Sequence, residues 1–265
     1  MTDDELFLTA ILRCSRSDLY TQAIPLTADQ QKQFDDMKHR RANGEPVQYI
    51  VGFTEFMGLR MDVGPGVLIP RPETEVLVDY VLQELSVEKK REYFILDIGT
   101  GSGCIAIAFA KMLPGCRVIS VDISETALAF ARRNAEINGV KDRITFVERD
   151  VFWFMDENLD RFDAVISNPP YIPTFQMDKL PQDVQKEPGL ALDGGPDGLH
   201  FYRFLIPSSL RKLKTGGLLA FEFGDGQRKE LEKLFDEVGG WDKIRFNKDN
   251  VGKFRVAVAR KQGVI

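Results

Sequence analysis

From residue 93 onward, short apolar runs alternate with longer amphipathic stretches. Runs at 94–97, 117–121, 143–147 and 162–167 are too short for helices and read as strands of a buried parallel sheet. Between them the spacing predicts helices over 104–113, 125–138 and 151–157. A helix over 198–213, a strand over 218–223, a helix over 226–237 and strands over 241–246 and 254–259 complete the pattern. Strands and helices in this rhythm predict an α/β fold, a doubly wound sheet of seven strands. Only the stretch 248–253 joins the last two strands, too little for a parallel crossover. The last strand is therefore expected to be antiparallel, inserted beside its predecessor.

Ahead of the sheet the pattern differs. Leu6, Leu8, Ile11 and Leu12 follow a helical period over 3–14. Phe34 and Met37 sit inside a second candidate helix over 27–43, with 15–26 as the connection. Residues 1–45 thus read as a small helical domain that must pack on something else to be stable. Substrate recognition is its expected role, and a stabilising element is the alternative. Residues 47–56 and 59–63 alternate as strands around Met57 and Gly58, so 46–72 reads as a β-hairpin linker. A helix over 73–85 then opens the third unit, 73–265.

Composition narrows the class. The 265 residues are 43% hydrophobic and 28% charged, enough for a full core. A net charge of -5 argues against a broad basic surface for gripping nucleic acid. Cys14, Cys104 and Cys116 are an odd number without a paired motif, which suits reduced thiols in the cytoplasm. His39 and His200 are the only histidines, so a histidine metal site is not expected. The acidic start does not resemble a signal peptide, and no apolar run reaches membrane-spanning length.

The candidate chemistry centres on 94–103, Phe-Ile-Leu-Asp-Ile-Gly-Thr-Gly-Ser-Gly. Three glycines between a strand and a helix let the backbone turn tightly and approach a ligand. The spacing misses a dinucleotide fingerprint, because the final glycine is replaced by Cys104 in one frame and Ala106 in the other. Asp97 closes the strand. A carboxylate there suits a cationic ligand with an amino or sulfonium group better than a pyrophosphate. S-adenosylmethionine is thereby favoured over a dinucleotide.

Asp122, at the end of the second strand, can accept from ribose hydroxyls or serve as an acid at a helix start. Asp150 can accept from an adenine amino group or cap the next segment, with Val151 covering one face of the ring. Asn168-Pro169-Pro170-Tyr171 follows the fourth strand. The prolines have no N–H to donate, so carbonyls and the Asn168 oxygen remain as rigid acceptors. They suit an incoming NH2 group, beside which Tyr171 can stack. The expected reaction is attack of a planar amide or amine nitrogen on the sulfonium methyl, with the thioether leaving.

Taken together, the motifs at 44–58, 67–75, 96–103, 121–124, 166–172, 187–199 and 216–224 resemble the peptide chain release factor glutamine methyltransferase family. That resemblance implies a class I S-adenosylmethionine-dependent enzyme that methylates the glutamine of a Gly-Gly-Gln motif. It implies that Asp97, Gly99, Thr100, Gly101, Asp122, Ile123, Asp150, Val151 and Asn168 bind the cofactor. Asn168, Pro169 and Tyr171 are implied as catalytic. Asn168, Pro169, Pro170, Tyr171, Arg71, Pro72, Thr74 and Glu187 are implied as substrate-binding. The partner is then a release factor, with no direct nucleic-acid or membrane binding, and the enzyme a monomer. Met1 falls about where the family's second helix begins, so the first is expected to be missing. An adenine-N6 methyltransferase and an inactive cofactor-binding subunit are the alternative readings.

Overall fold

A computed structural model describes residues 2–21, 25–87, 90–157 and 161–263. Its main sheet holds β3 (Tyr93–Ile98), β4 (Cys116–Asp122), β5 (Ile144–Glu148), β6 (Phe162–Ser167), β7 (Leu213–Glu222), β8 (Arg245–Lys248) and β9 (Phe254–Arg260). Their spatial order is β5-β4-β3-β6-β7-β9-β8. Strands β3 to β7 are parallel, and β9 lies between β7 and β8, antiparallel to both. The short connection before β9 has the consequence expected of it.

Helices cover both faces because alternate strand residues point to opposite sides. Ile95, Ala164, Leu218 and Val256 share a core with α5 (Pro72–Ser86) and α6 (Cys104–Met112). Leu96, Val165, Leu219 and Ala257 share the other with α8 (Val151–Glu157), α9 (His200–Lys212) and α10 (Arg228–Val238). A further helix, α7 (Glu125–Ile137), follows β4.

The amino-terminal part contains α1 (Asp3–Leu12), α2 (Arg16–Thr21), α3 (Ala28–Ala42) and α4 (Val47–Val51). Capping boxes start α1 at Thr2 and Glu5 and α3 at Thr27 and Gln30. The connection expected over 15–26 is helical at α2, and its residues 22–24 lie outside the described residues. A small core of Phe7, Met37 and Ile50 joins α1, α3 and α4.

Two expected strands are otherwise in the structure. Residues 47–51 form a helical turn, not strand. Tyr49 packs with Val63, Val67 and Ile69, whereas its neighbour Ile50 packs with Phe7 and Met37. One helical turn reaches both clusters, and Gly52, at φ 85°, ends it. The hairpin itself is β1 (Phe53–Phe56) with β2 (Leu59–Asp62). The strand expected over 241–246 starts at Arg245 instead, because Trp241 turns its ring against Phe235 and makes only an isolated bridge to Lys261.

Candidate active site

The parallel strands end on one side of the sheet, and β3 sits where the chain order reverses, the usual crevice of such folds. A cavity of about 260 Å³ lies there. Its lining includes Gly99, Thr100, Gly101, Asp122, Ile123, Asp150 and Val151 at one end. Arg71, Thr74, Asn168, Pro169 and Pro170 belong to the same lining. Sequence separations approaching 100 residues are closed because each group sits at a strand end or helix start.

The glycine loop is held by its surroundings. Gly99 donates to Val121 O at 2.9 Å, and Thr100 Oγ1 donates to Asp97 Oδ2 at 2.6 Å. A side chain at Gly99 would meet nothing within 4 Å, so the backbone faces open space where a ligand can approach. Asp97 lies behind the loop, fully buried and outside the cavity lining. Its Oδ1 has no hydrogen-bond partner among the described residues. Burial pushes its carboxyl up to about 7, opposed by the Thr100 hydroxyl and reinforced by Asp122. A buried, half-satisfied carboxylate fits a cationic cofactor nearby.

Asp122 accepts from Gly101 N at 2.8 Å and Ser124 N at 2.9 Å. It therefore braces the loop while keeping lone pairs for ribose hydroxyls. Burial raises its carboxyl above the usual range, against those same N–H donors. Asp150 accepts from Phe152 N at 2.9 Å, so capping α8 is one of its roles, and it still borders the cavity.

The other end is built from side chains. Asn168 Nδ2 donates to Thr74 Oγ1 at 3.0 Å, and Thr74 Oγ1 donates to Glu222 Oε2 at 2.6 Å. Tyr171 Oη donates to Glu222 Oε1 at 3.0 Å. Tyr171 thus turns toward Glu222 and is not among the lining residues. Pro72 is not there either; it starts α5, where a missing N–H costs nothing. Glu187 is buried behind the lining, accepting from Ile69 N at 2.9 Å and pairing with Arg71. It ties the loop carrying Pro188 and Leu190 across the cavity to the segment before α5.

That loop also clasps the Asn-Pro-Pro-Tyr segment. Ile172 N donates to Leu192 O and Gly194 N to Ile172 O, at 2.9 and 2.8 Å. A Cβ at Gly198, whose φ is 77°, would fall 2.3 Å from Tyr171 O. Gln227 Nε2 donates to both Tyr171 O and Gly198 O. The Gly-rich stretch 194–198 and the proline pair are therefore two halves of one clasp.

Glu222 escaped the sequence reading. Its signal was present: one carboxylate in a strand of otherwise apolar residues, 218–223, buried on both faces. Phe152, Phe201 and Leu190, which add apolar lining, carry no such mark.

Residues 89–238 match a family model described as a methyltransferase domain, and residues 2–52 match the PrmC N-terminal domain. A release factor glutamine methyltransferase from Moorella thermoacetica is 45% identical over 84% of this chain and 77% of its own length. The chain belongs to the release factor glutamine methyltransferase family. Its similarity extends to the Caulobacter vibrioides release factor glutamine methyltransferase, 40% identical over 98% of this chain and 89% of that one. Among solved structures, the hMettl16 catalytic domain in complex with an RNA hairpin has a TM-score of 0.63 at 18% identity, covering 91% of this chain and 84% of that one. A Pyrococcus furiosus methyltransferase has a TM-score of 0.56 at 19% identity, covering 87% of this chain and all of that one. At such identities these two share the fold alone with this family member. Among the described residues no helix is long and apolar enough to cross a membrane, and no group of His, Cys, Asp and Glu could hold a metal ion.

Proposed function

We infer that this chain methylates the side-chain amide nitrogen of the glutamine in the Gly-Gly-Gln motif of peptide chain release factors, with S-adenosylmethionine as the donor. The observation that carries the reading is one cavity bordered by both the acid-flanked glycine loop and Asn168-Pro169-Pro170, in a chain of this family. When bound, S-adenosylmethionine supplies an electrophilic methyl group on a positively charged sulfur. Gly99, Thr100 and Gly101 would border its amino-acid part, with the Asp97 charge behind them. Asp122 and Ile123 would hold the ribose, and Asp150 and Val151 the adenine.

Asn168 and the carbonyl of Pro169 would each accept one N–H of the glutamine amide. An amide nitrogen is a weak nucleophile because its lone pair is delocalised. Holding both N–H groups orients that lone pair, and alignment supplies much of the acceleration. Leu190 and Pro188 line the cavity and would help to exclude water from it. Residues 1–45 serve recognition of the factor in this reading, 46–72 link them to the site, and 73–265 carry the chemistry. Arg41, beside Asp183 at 3.5 Å, connects α3 to the loop over the cavity. The enzyme acts as a monomer in the cytoplasm.

Transfer of labelled methyl from S-adenosylmethionine tests this. The substrates are a release factor, the same factor with its Gly-Gly-Gln glutamine replaced, DNA and RNA. Label on the intact factor alone is expected. Label on nucleic acid with none on the factor overturns the reading in favour of adenine methylation.

A further inference from the structure

We propose that Glu222 is a positioning residue for the methyl acceptor, acting through Thr74 to hold Asn168 with its side-chain oxygen toward the cavity. The proposal rests on the reading that an amide nitrogen is the acceptor. Glu222 ends β7 with 1% exposure, on the face of the sheet that α5 covers. The register pairs Ser167 with Phe221, so Asn168 and Glu222 leave the sheet side by side, and Thr74 in the first turn of α5 lies between them.

The direction of the hydrogen bonds follows from counting protons. Burial raises the Glu222 carboxyl above its usual range, opposed by the Thr74 and Tyr171 hydroxyls. In its ionised form it only accepts, so both hydroxyls donate to it. A threonine hydroxyl has one proton. Once Thr74 gives it to Glu222, its oxygen can only accept from Asn168. Asn168 must then present its NH2 to Thr74, at 3.0 Å, and its Oδ1 is left for the ligand. An incoming NH2 finds an acceptor there, whereas a carboxylate meets a like partial charge. The chain Glu222–Thr74–Asn168 also passes part of a buried negative charge toward that oxygen. As the substrate nitrogen takes the methyl group, the S–CH3 bond breaks and the thioether leaves. The N–H groups become more acidic, the hydrogen bond to Asn168 strengthens, and one of these protons is then lost to water. Stabilisation that grows along the reaction raises kcat more than it lowers KM.

Glu222→Gln keeps the shape and reverses the logic. A glutamine NH2 can donate to Thr74, whose hydroxyl is then free to donate to Asn168, and the Asn168 NH2 turns outward. The full-length protein, with a release factor as substrate, should lose about 100-fold in kcat while KM for the factor stays within about threefold. Thr74→Val should match it, Thr74→Ser should restore activity to within about threefold, and the double variant Glu222→Gln/Thr74→Val should be no worse than either single.

Hydrogen exchange of the Asn168 side-chain NH2, followed by NMR in ligand-free protein, adds a readout independent of substrate. Protection in wild type and its loss in Glu222→Gln are expected. Retained kcat in Glu222→Gln, additive losses in the double variant, or unchanged exchange would each overturn the proposal. A wild-type protein that methylates no factor defeats the functional reading, and the exchange comparison still decides the role of Glu222.

Discussion

Behind each end of the cavity lies a fully buried carboxyl, and the two are satisfied differently. Asp97, behind the glycine loop, has one oxygen bonded to Thr100 and one without a partner. Glu222, behind Asn168, has both oxygens bonded, to Thr74 and Tyr171. The first holds charge in reserve for a cationic ligand, at the expense of the ligand-free fold. The second, in its ionised form, acts inside the protein, fixing neutral side chains in one orientation. In the proposed reading the cofactor end is thus a backbone cradle made from adjacent strand ends. The acceptor end is a side-chain relay drawn from three distant segments.

Asn168 is where this contrast is most exposed to test. Asn168→Ala removes the relay's last member and should lower methyl transfer to the factor by about 100- to 1000-fold, equivalent to about 3–4 kcal/mol. Turnover at saturating factor and cofactor measures it; a loss under tenfold would break the assignment of chemistry to this end.

The next effect belongs to Asp97. Its carboxyl is raised from the ordinary 3.8 to about 7 by burial. As pH rises through that interval, the unfolded chain releases its proton before the folded one does. The folded state is therefore favoured at low pH and loses stability toward pH 7. Between pH 5 and pH 8 the ligand-free protein should lose about 3 kcal/mol relative to Asp97→Asn. Urea unfolding at both pH values measures the difference, and parallel pH curves would show that Asp97 is not an uncompensated charge.

An effect of similar size tests the clasp around the acceptor end. Gly198→Ala combines a left-handed backbone with a contact to Tyr171 O and should destabilise by about 2–4 kcal/mol. Gly216→Ala, at φ 75° with nothing within 4 Å, carries only the backbone penalty of about 1–2 kcal/mol. Chemical denaturation of the two variants separates them, and equal losses would remove the close approach as the reason for Gly198.

The smallest effect concerns Glu187. Glu187→Gln keeps an acceptor for Ile69 N but weakens the tie to Arg71, which is 31% exposed and partly screened. KM for the factor should rise about threefold to tenfold with kcat unchanged. A fall in kcat instead would move Glu187 from holding the loop to handling the acceptor.

Chain order and local chemistry were enough for much of this protein. The strand–helix rhythm, the antiparallel last strand, the glycine loop and the acids closing the strands all depend on neighbours in sequence. Backbone geometry and side-chain periodicity are local, so they are written locally. Val47–Val51 shows where that stops: a stretch that alternates like a strand became a helical turn because two separate cores claimed adjacent residues. That Tyr171 turns toward Glu222, and Glu187 toward Ile69 and Arg71, was not legible in the sequence, because packing decides it. Only the folded sheet register brings Thr74, Asn168 and Glu222 within hydrogen-bond distance. A proton has to be shared between named atoms, and which atoms can share it is decided by the packing of α5 on β6 and β7.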